Sequence, residues 1–323
     1  MSYNKKKHYN IGIDIGGTKI AIGLVDNEIR LIDRIDIPTV IEKGPDPLIS
    51  EIIKQTGTLI NRNGLIDKQV NSIGIGVPGT VDHETGHVVL APNIYWRDVP
   101  LGKKFTESFT STPIYIDQDT NAAILGEYML QDGKYIKNFF YITLGTGVGS
   151  GLIFNGKLYR GRLNTAGEIG HTVVEKNGIP CTCGNRGCLQ MYAKGPGIVD
   201  EAIRRIERGA ETNLKKYLEE KNKLTAQQIG DEANNGDKFA MDLLLWAADY
   251  VGLALANIVS VLNPDLIVIG GGVTRCGAFF INAITNSTIK YCYPPARDSV
   301  VISCTTQWEK SGIIGAALLY SSF

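Results

Sequence analysis

Three of the six cysteines fall in one short run, Cys181, Cys183 and Cys188 in the segment PCTCGNRGCLQ, and His171 stands upstream of them past a β-prone stretch, Thr172 to Val174. Three thiolates and one imidazole make a closed tetrahedral set for zinc. The intervening Gly184 and Gly187 allow a tight loop to turn its sulfurs inward, as the short spacing demands. The alternatives are three buried thiols or a disulfide. Disulfide frameworks belong mainly to small secreted domains, and no secretory signal is visible here. Four protein ligands leave no position for water, so the metal is expected to hold a loop and not to hydrolyse anything. The chemistry should then sit beside it. Glu168, in the same GEIGH segment as His171, would present a carboxylate from the turn that the metal fixes, and a zinc-bound His can donate its other ring N–H outward.

Other candidate groups lie where strands end. Asp14 precedes a turn of Gly16, Gly17, Thr18 and Lys19 between two apolar runs. Backbone N–H groups of such a tip can meet phosphate oxygens, and a carboxylate beside them can hold hydrated Mg²⁺; a plain tight hairpin is the competing interpretation. Neither the P-loop nor the dinucleotide fingerprint fits. Pro78, Gly79 and Thr80 follow a buried strand, a place where ligands commonly sit. The segment APNIYW puts Asn93 beside Tyr95 and Trp96, which suits either a sugar or a satellite core cluster. Asp119 ends the run Ile116, Asp117, Gln118 before an alanine-rich helix, where a general base would be displayed; a solvated helix cap reads the same way. Thr143, Gly145, Thr146 and Gly147 repeat the glycine-tipped hairpin. Gly270, Gly271 and Gly272 follow a buried strand and would let adenosine lie against bare backbone, unless they serve only close packing of helix and strand.

The elements that must carry these groups alternate between strand and helix. Strands are expected over Tyr9–Ile15, 20–25, 29–37, 70–77, 113–116, 139–144, 149–154 and 266–269. Helices are expected from Asp46 to Gly64, over 121–131, 197–208, 213–221, 225–234, 239–262 and 312–320, the helix at 239–262 being apolar enough to be buried. Two glycine-tipped hairpins, each opening an α/β half, point to an internal duplication that closes two lobes around a nucleotide. At 323 residues the chain is long enough for two domains. Lys plus Arg and Asp plus Glu both number 33, which offers no sign of nucleic acid or membrane as a partner. No run reads as a membrane span, so a cytoplasmic protein is expected, with residues 1–8 a polar tail. Cys276, Cys292 and Cys304 are expected to be packing residues.

GEIGH at Gly167–His171, followed by CTCGNRGCLQMYA at Cys181–Ala193, resembles the signature of the ROK family, whose members are bacterial sugar kinases and sugar-responsive repressors. DQDTNAAILGE is similar to the family motif ENDANAAALGE, and it puts Asp119 on the catalytic Asp. The resemblance runs from Ile11 to Ala317. It implies an α/β, two-lobed, actin-like or hexokinase-like (duplicated ribonuclease H-like) fold with a zinc-binding loop. The last helix would return to the first lobe, giving a small lobe of 1–119 plus 305–323 and a large lobe of 120–304.

The implied reaction is transfer of the ATP γ-phosphoryl group to a hexose 6-hydroxyl, with ATP, Mg²⁺ and structural zinc bound and a homodimer as the expected assembly. Asp119 would accept the hydroxyl proton. Gly79, Asn93, Gln118, Glu168, His171 and Gln190 would join it around the sugar. Three positions depart from the family pattern: Gln118 stands for Asn, Gln190 for a sugar-binding Glu, and Lys194 for Ser. Glucose or a close relative is the expected substrate; an N-acetylhexosamine, fructose, or a sensing role without catalysis are the alternatives. The repressors carry a helix-turn-helix ahead of this fold, and only about ten residues precede the first strand here.

Overall fold

The computed structural model describes residues 9–42, 44–131, 136–219 and 224–322. The expected tail at 1–8 and the end of the helix expected at 213–221 lie outside them. Two compact units result: Met1–Tyr135 with Ile153–Ala166 and Gln307–Phe323, and Ile136–Leu152 with Gly167–Thr306. Against the division expected at 119 and 305, the helix after Asp119 falls in the first unit, as does the segment 153–166. Packing of that helix explains its assignment.

In the first unit β1 (Tyr9–Ile15) and β2 (Lys19–Asp26) form an antiparallel hairpin extended by β3 (Leu31–Pro38). α1 (Pro45–Arg62) carries Pro in its first turn and buries Leu48, Ile49, Ile52, Leu59 and Ile60, the single face that the sequence spacing predicts. β4 (Val70–Val77) then runs parallel to β1. The next stretch, expected as loop, is a small antiparallel sheet of β5 (Thr80–Asp82), β6 (His87–Ala91) and β7 (Trp96–Val99). It separates the two aromatics of APNIYW: Trp96 is 1% exposed, in the core, while Tyr95 takes a left-handed backbone and is 79% exposed.

α2 (Leu101–Ser108) leads to β8 (Ile114–Gln118), parallel to β4, and α3 (Asp119–Leu130) starts directly from its end. The sheet order is β3-β2-β1-β4-β8.

The second unit opens with β9 (Phe139–Leu144) and most of β10 (Val148–Phe154), while β11 (Lys157–Leu158), which pairs with β10, falls in the first unit. The division between units falls within β10. After the cysteine loop come α4 (Gln190–Ala193), α5 (Gly195–Glu207), α6 (Lys215–Glu219) and α7 (Ala226–Asn234), the last opened by a Thr225–Gln228 capping box. α8 (Lys238–Leu262) is capped by Asp237, whose carboxylate accepts from the Ala240 N–H at 3.0 Å.

By length and composition α8 alone among the described helices could cross a membrane, against the expectation that no run reads as a membrane span. Leu243, Leu244, Val251, Leu255 and Val259 on it are buried in the core of this unit, whereas Met241, Leu245 and Val261 remain exposed. β12 (Leu266–Gly270) and β13 (Ile302–Cys304), with α9 (Ala278–Tyr291) between them in the chain, complete the second sheet, ordered β11-β10-β9-β12-β13. Its hairpin and parallel strands repeat the plan of the first sheet, as duplication requires.

α10 (Trp308–Ala317) belongs to the first unit again. It packs on α3 through Ala122, Leu125, Ile314 and Ala316, and the Ser311 hydroxyl donates to the buried Glu127 carboxylate. This pairing holds α3, and Asp119 at its start, to the first sheet.

Candidate active site and metal centre

In the first unit the strand ends gather one group of the expected residues. Asp14, half-buried on β1, is paired in register with Gly76 of β4, which is paired in turn with Asp117 of β8. A Cβ at Gly76 would lie 3.2 Å from the Asp119 Cα, so the absence of a side chain there lets α3 begin directly over the sheet. Asp119, half-buried, accepts from the Thr120 N–H at 2.7 Å.

Burial, with α10 packed against its carboxylate at Gly312, and the nearby Asp119 charge push the Asp14 carboxyl up to about 7; Arg34 and Lys19 oppose the shift. The β1–β2 tip is closed by Gly16 N–H to Lys19 O at 3.0 Å and is held from outside by Thr39, whose hydroxyl donates to Gly16 O at 2.7 Å. Gly17, Thr18 and Lys19 are exposed there, and the Asn93 carbonyl comes close to Gly17. Gly79 follows β4, and Gln118 is buried at the end of β8.

Sequence reasoning missed the polar network beneath this group. Asp117 is fully buried, and its carboxylate accepts from Gln118 N, Asn121 Nδ2, Asn164 Nδ2 and Arg160 Nε. Among these partners only Gln118 and Asn121 fall within the resembling motif. Arg160 and Asn164 lie far along the chain, and nothing local marks them.

In the second unit the β9–β10 tip is closed by Gly145 N–H to Gly147 O at 2.9 Å, and α5 is tied to it by Gly195 N–H to Gly145 O at 2.8 Å. Thr143 pairs in register with Gly270. Gly271 has φ 91°, and any Cβ there would collide with the Leu144 backbone. The two glycine-rich segments, Thr143–Gly147 and Gly270–Gly272, are therefore side by side. Gly145, Gly147 and Gly272 have open space where a Cβ would point, which leaves their backbone accessible.

Glu168, exposed, precedes a short turn of 3₁₀ helix at Ile169–His171, and its carbonyl accepts the His171 N–H at 3.0 Å. Ser150 on β10 fixes this turn by donating to Gly167 O and accepting from the Ile169 N–H. The expected β run after His171 is realised only as an isolated bridge, Val173 to Cys188, because its partner strand is the returning cysteine loop.

That loop brings His171, Cys181, Cys183 and Cys188 together, with one ligand atom of each within 4.8 Å of the others. Cys183 Sγ lies 3.6 Å from Cys188 Sγ, and Cys181 Sγ lies 3.8 Å from His171 Nδ1. All four donors are of the types that zinc prefers, and the three cysteines are free thiols. Burial works to raise the Cys181 thiol, but the Cys183 N–H, the Gln190 amide and the neighbouring thiols outweigh it and bring Cys181 down to about 6. Burial and the Cys183 and Cys181 thiols push Cys188 up to about 12. Thiols this close do not all ionise without a counter-charge, which a bound cation would supply. Gln190 Nε2 donates to Cys181 Sγ at 3.1 Å and lies 3.5 Å from His171 Nδ1.

The sequence profile described as the ROK family matches residues 10–322. The chain belongs to the ROK family. Among curated ROK relatives, the glucokinase of Halalkalibacterium halodurans is 35% identical over 310 residues, which is 96% of this chain and 94% of that protein. The xylose repressor of Bacillus spizizenii is 31% identical over 93% of this chain and 73% of its own length. Among solved ROK structures, a glucokinase from Streptomyces griseus in complex with glucose and AMPPNP superposes with a TM-score of 0.80 at 32% identity, covering 96% of this chain and 98% of the other. With these relatives the two sheet-centred units are those of the actin-like, hexokinase-like fold.

Proposed function

We propose that this chain is an ATP-dependent hexose kinase that transfers the γ-phosphoryl group to the 6-hydroxyl of glucose or a close relative. The observation that carries the proposal is the placement of Asp119 at the tip of β8 with Asp14 on the same face of the sheet, in a chain 35% identical to a glucokinase. In this reading Asp119 accepts the proton from the attacking hydroxyl, and its short bond from Thr120 N–H fixes the carboxylate. Asp14 is the carboxylate suited to hold hydrated Mg²⁺, which when bound neutralises charge on the phosphates. The exposed backbone of Gly16–Thr18 and of Gly145–Gly147 supplies N–H donors to phosphate oxygens, and Gly270–Gly272 receives the adenosine.

Gly79, Asn93 and Gln118 in the first unit, and Glu168, His171 and Gln190 in the second, are assigned to the sugar. Zinc held by His171, Cys181, Cys183 and Cys188 supplies no reaction step. It fixes the loop carrying Glu168 and Gln190. By the same family reasoning the protein is cytoplasmic and works as a homodimer.

An ATP-coupled assay over glucose, mannose, fructose, N-acetylglucosamine and N-acetylmannosamine tests the proposal. Turnover with glucose or mannose supports it, and a preference for an acetamido sugar would move the assignment to an amino-sugar kinase. The similarity to a xylose repressor favours one other reading, a sensor, which would bind sugar with no ATP consumption at all.

A further inference from the structure

The buried network below Asp119 carries an inference that rests on the kinase reading. Asp117 is fully buried, and one of its carboxylate oxygens accepts three hydrogen bonds: from the Gln118 N–H at 2.8 Å, from Asn121 Nδ2 at 2.8 Å and from Asn164 Nδ2 at 3.0 Å. Two of those donors, Gln118 and Asn121, flank Asp119 in sequence. The Asp117 side chain thus closes a loop of chain around Asp119 and ties β8 to the first turn of α3.

The other carboxylate oxygen takes Arg160 Nε at 2.8 Å, and the side chain of Arg160 is 13% exposed. Its remaining nitrogens are also engaged, Nη1 with the Ser322 carbonyl at 3.0 Å and Nη2 with the Ser322 hydroxyl at 2.9 Å. Asn164, with a left-handed backbone at φ 56°, also accepts from Asn121 Nδ2 and donates to the Val81 carbonyl.

We infer that Arg160, Asp117 and Asn164 are positioning residues for Asp119, so that the buried ion pair sets the placement of the general base. A buried pair of this kind adds little net stability relative to a neutral replacement. Removing one partner, however, leaves an uncompensated buried charge, and the chain must shift to solvate it. Two of the donors that would lose their acceptor, Gln118 N–H and Asn121 Nδ2, lie on the β8–α3 junction, so the shift falls there. A displacement of about 1 Å at a reacting group can cost on the order of 100-fold in rate. Arg160 is suited to the task because its planar fork spans Asp117 and Ser322 at once, which a lysine ammonium cannot do.

The test is a mutant cycle with hexose and ATP kinetics. Arg160→Gln and Asp117→Asn each should lower kcat about 10- to 100-fold with KM for ATP within about threefold of wild type. The double variant, with no charge left to bury, should recover most of the lost kcat, and Arg160→Lys should not. Asn164→Gly keeps a residue that accepts the left-handed backbone while deleting the amide, so it reports on the network even if a charge variant fails to fold; a kcat loss of about 5-fold or more is expected. Unchanged kcat per folded molecule in these variants, with only melting temperature lowered, would overturn the inference and leave the kinase reading intact. Additive losses in the double variant would also overturn it. A wild-type chain without turnover on any sugar overturns both.

Discussion

Asp14 on β1 and Asp119 at the start of α3 are brought to one face of the first sheet by Gly76, and the Asp119 charge helps to hold the Asp14 carboxyl in its protonated form, at a pKa of about 7. Two neighbouring carboxylates in a partly desolvated setting do not ionise together without a counter-charge. A divalent cation at Asp14 would leave Asp119 free to act as a base. Replacing Asp119 by Asn preserves shape and removes the proton acceptor. Turnover should fall about 10²- to 10⁴-fold while sugar binding, measured by calorimetry, is retained. Near wild-type turnover in Asp119→Asn would reject the assignment.

The raised pKa of Asp14 has a sign that can be checked. Between its ordinary value of 3.8 and about 7, the folded chain holds a proton that the unfolded chain has lost. Its contribution to stability is therefore greatest below about pH 4, falls as pH rises towards 7, and is level above. Asp119 raises the pKa, and Arg34 and Lys19 oppose it. Relative to wild type, Asp14→Asn should gain melting temperature at pH 8 compared with pH 5, in the absence of Mg²⁺. Mg²⁺ should raise the melting temperature of wild type at pH 8 and leave that of the variant unmoved. A wild-type minus variant difference that is flat from pH 5 to pH 8 would show that Asp14 is not perturbed.

The proposed zinc set of His171, Cys181, Cys183 and Cys188 predicts about one zinc ion per chain in elemental analysis. Cys183 is the exposed member of the set, so its replacement by Ser disturbs packing least. Cys183→Ser should lose most of the zinc and, because the loop after His171 is then untethered, should weaken both stability and sugar affinity. Folded, active wild-type protein containing no metal would dismiss the centre.

The clustering of His171 with Cys181, Cys183 and Cys188 was legible in the sequence because cysteine is rare and three thiols so close together in a chain of this length point to one loop that gathers them. Long alternating or continuous apolar runs, such as Val70–Val77 and Phe139–Leu144, also marked their strands well, since burial on both faces leaves a strong pattern. The β5–β7 sheet escaped notice because its strands are short and Trp96 is the only bulky aromatic signal, shared ambiguously with exposed Tyr95. The helices α2, α4 and α9 and the short strands β11 and β13 were missed in turn. Asp117 could not be recognised as buried, because what makes its burial tolerable is Arg160 and Asn164, whose arrival depends on the tertiary fold. Polar networks of this kind are set by partners distant in sequence, and no local periodicity reports them.

Gln190 stands where the family usually has Glu, and its amide donates to Cys181 Sγ at 3.1 Å. A carboxylate in its place could not donate and would be repelled by a thiolate, so Gln190→Glu should turn the side chain away from the sulfur. Two consequences follow from one change. Loss of the N–H···S bond should speed release of zinc to an excess of chelator, since outer partners of metal ligands commonly tune affinity about 10- to 100-fold. The freed carboxylate can instead accept a sugar hydroxyl through a charge-assisted bond, which contributes on the order of 1.5 to 3 kcal/mol against about 1 for the neutral amide. KM for glucose should then fall by a factor of about 2 to 30, with kcat little changed. If the true substrate lacks a hydroxyl at that point, the half-buried carboxylate would be unpaired, and its KM should rise while that for glucose falls. KM values for glucose, mannose, fructose, N-acetylglucosamine and N-acetylmannosamine, taken beside the zinc release rate, separate these cases. Five unchanged KM values with faster zinc release would mean that Gln190 serves the metal and does not touch the sugar.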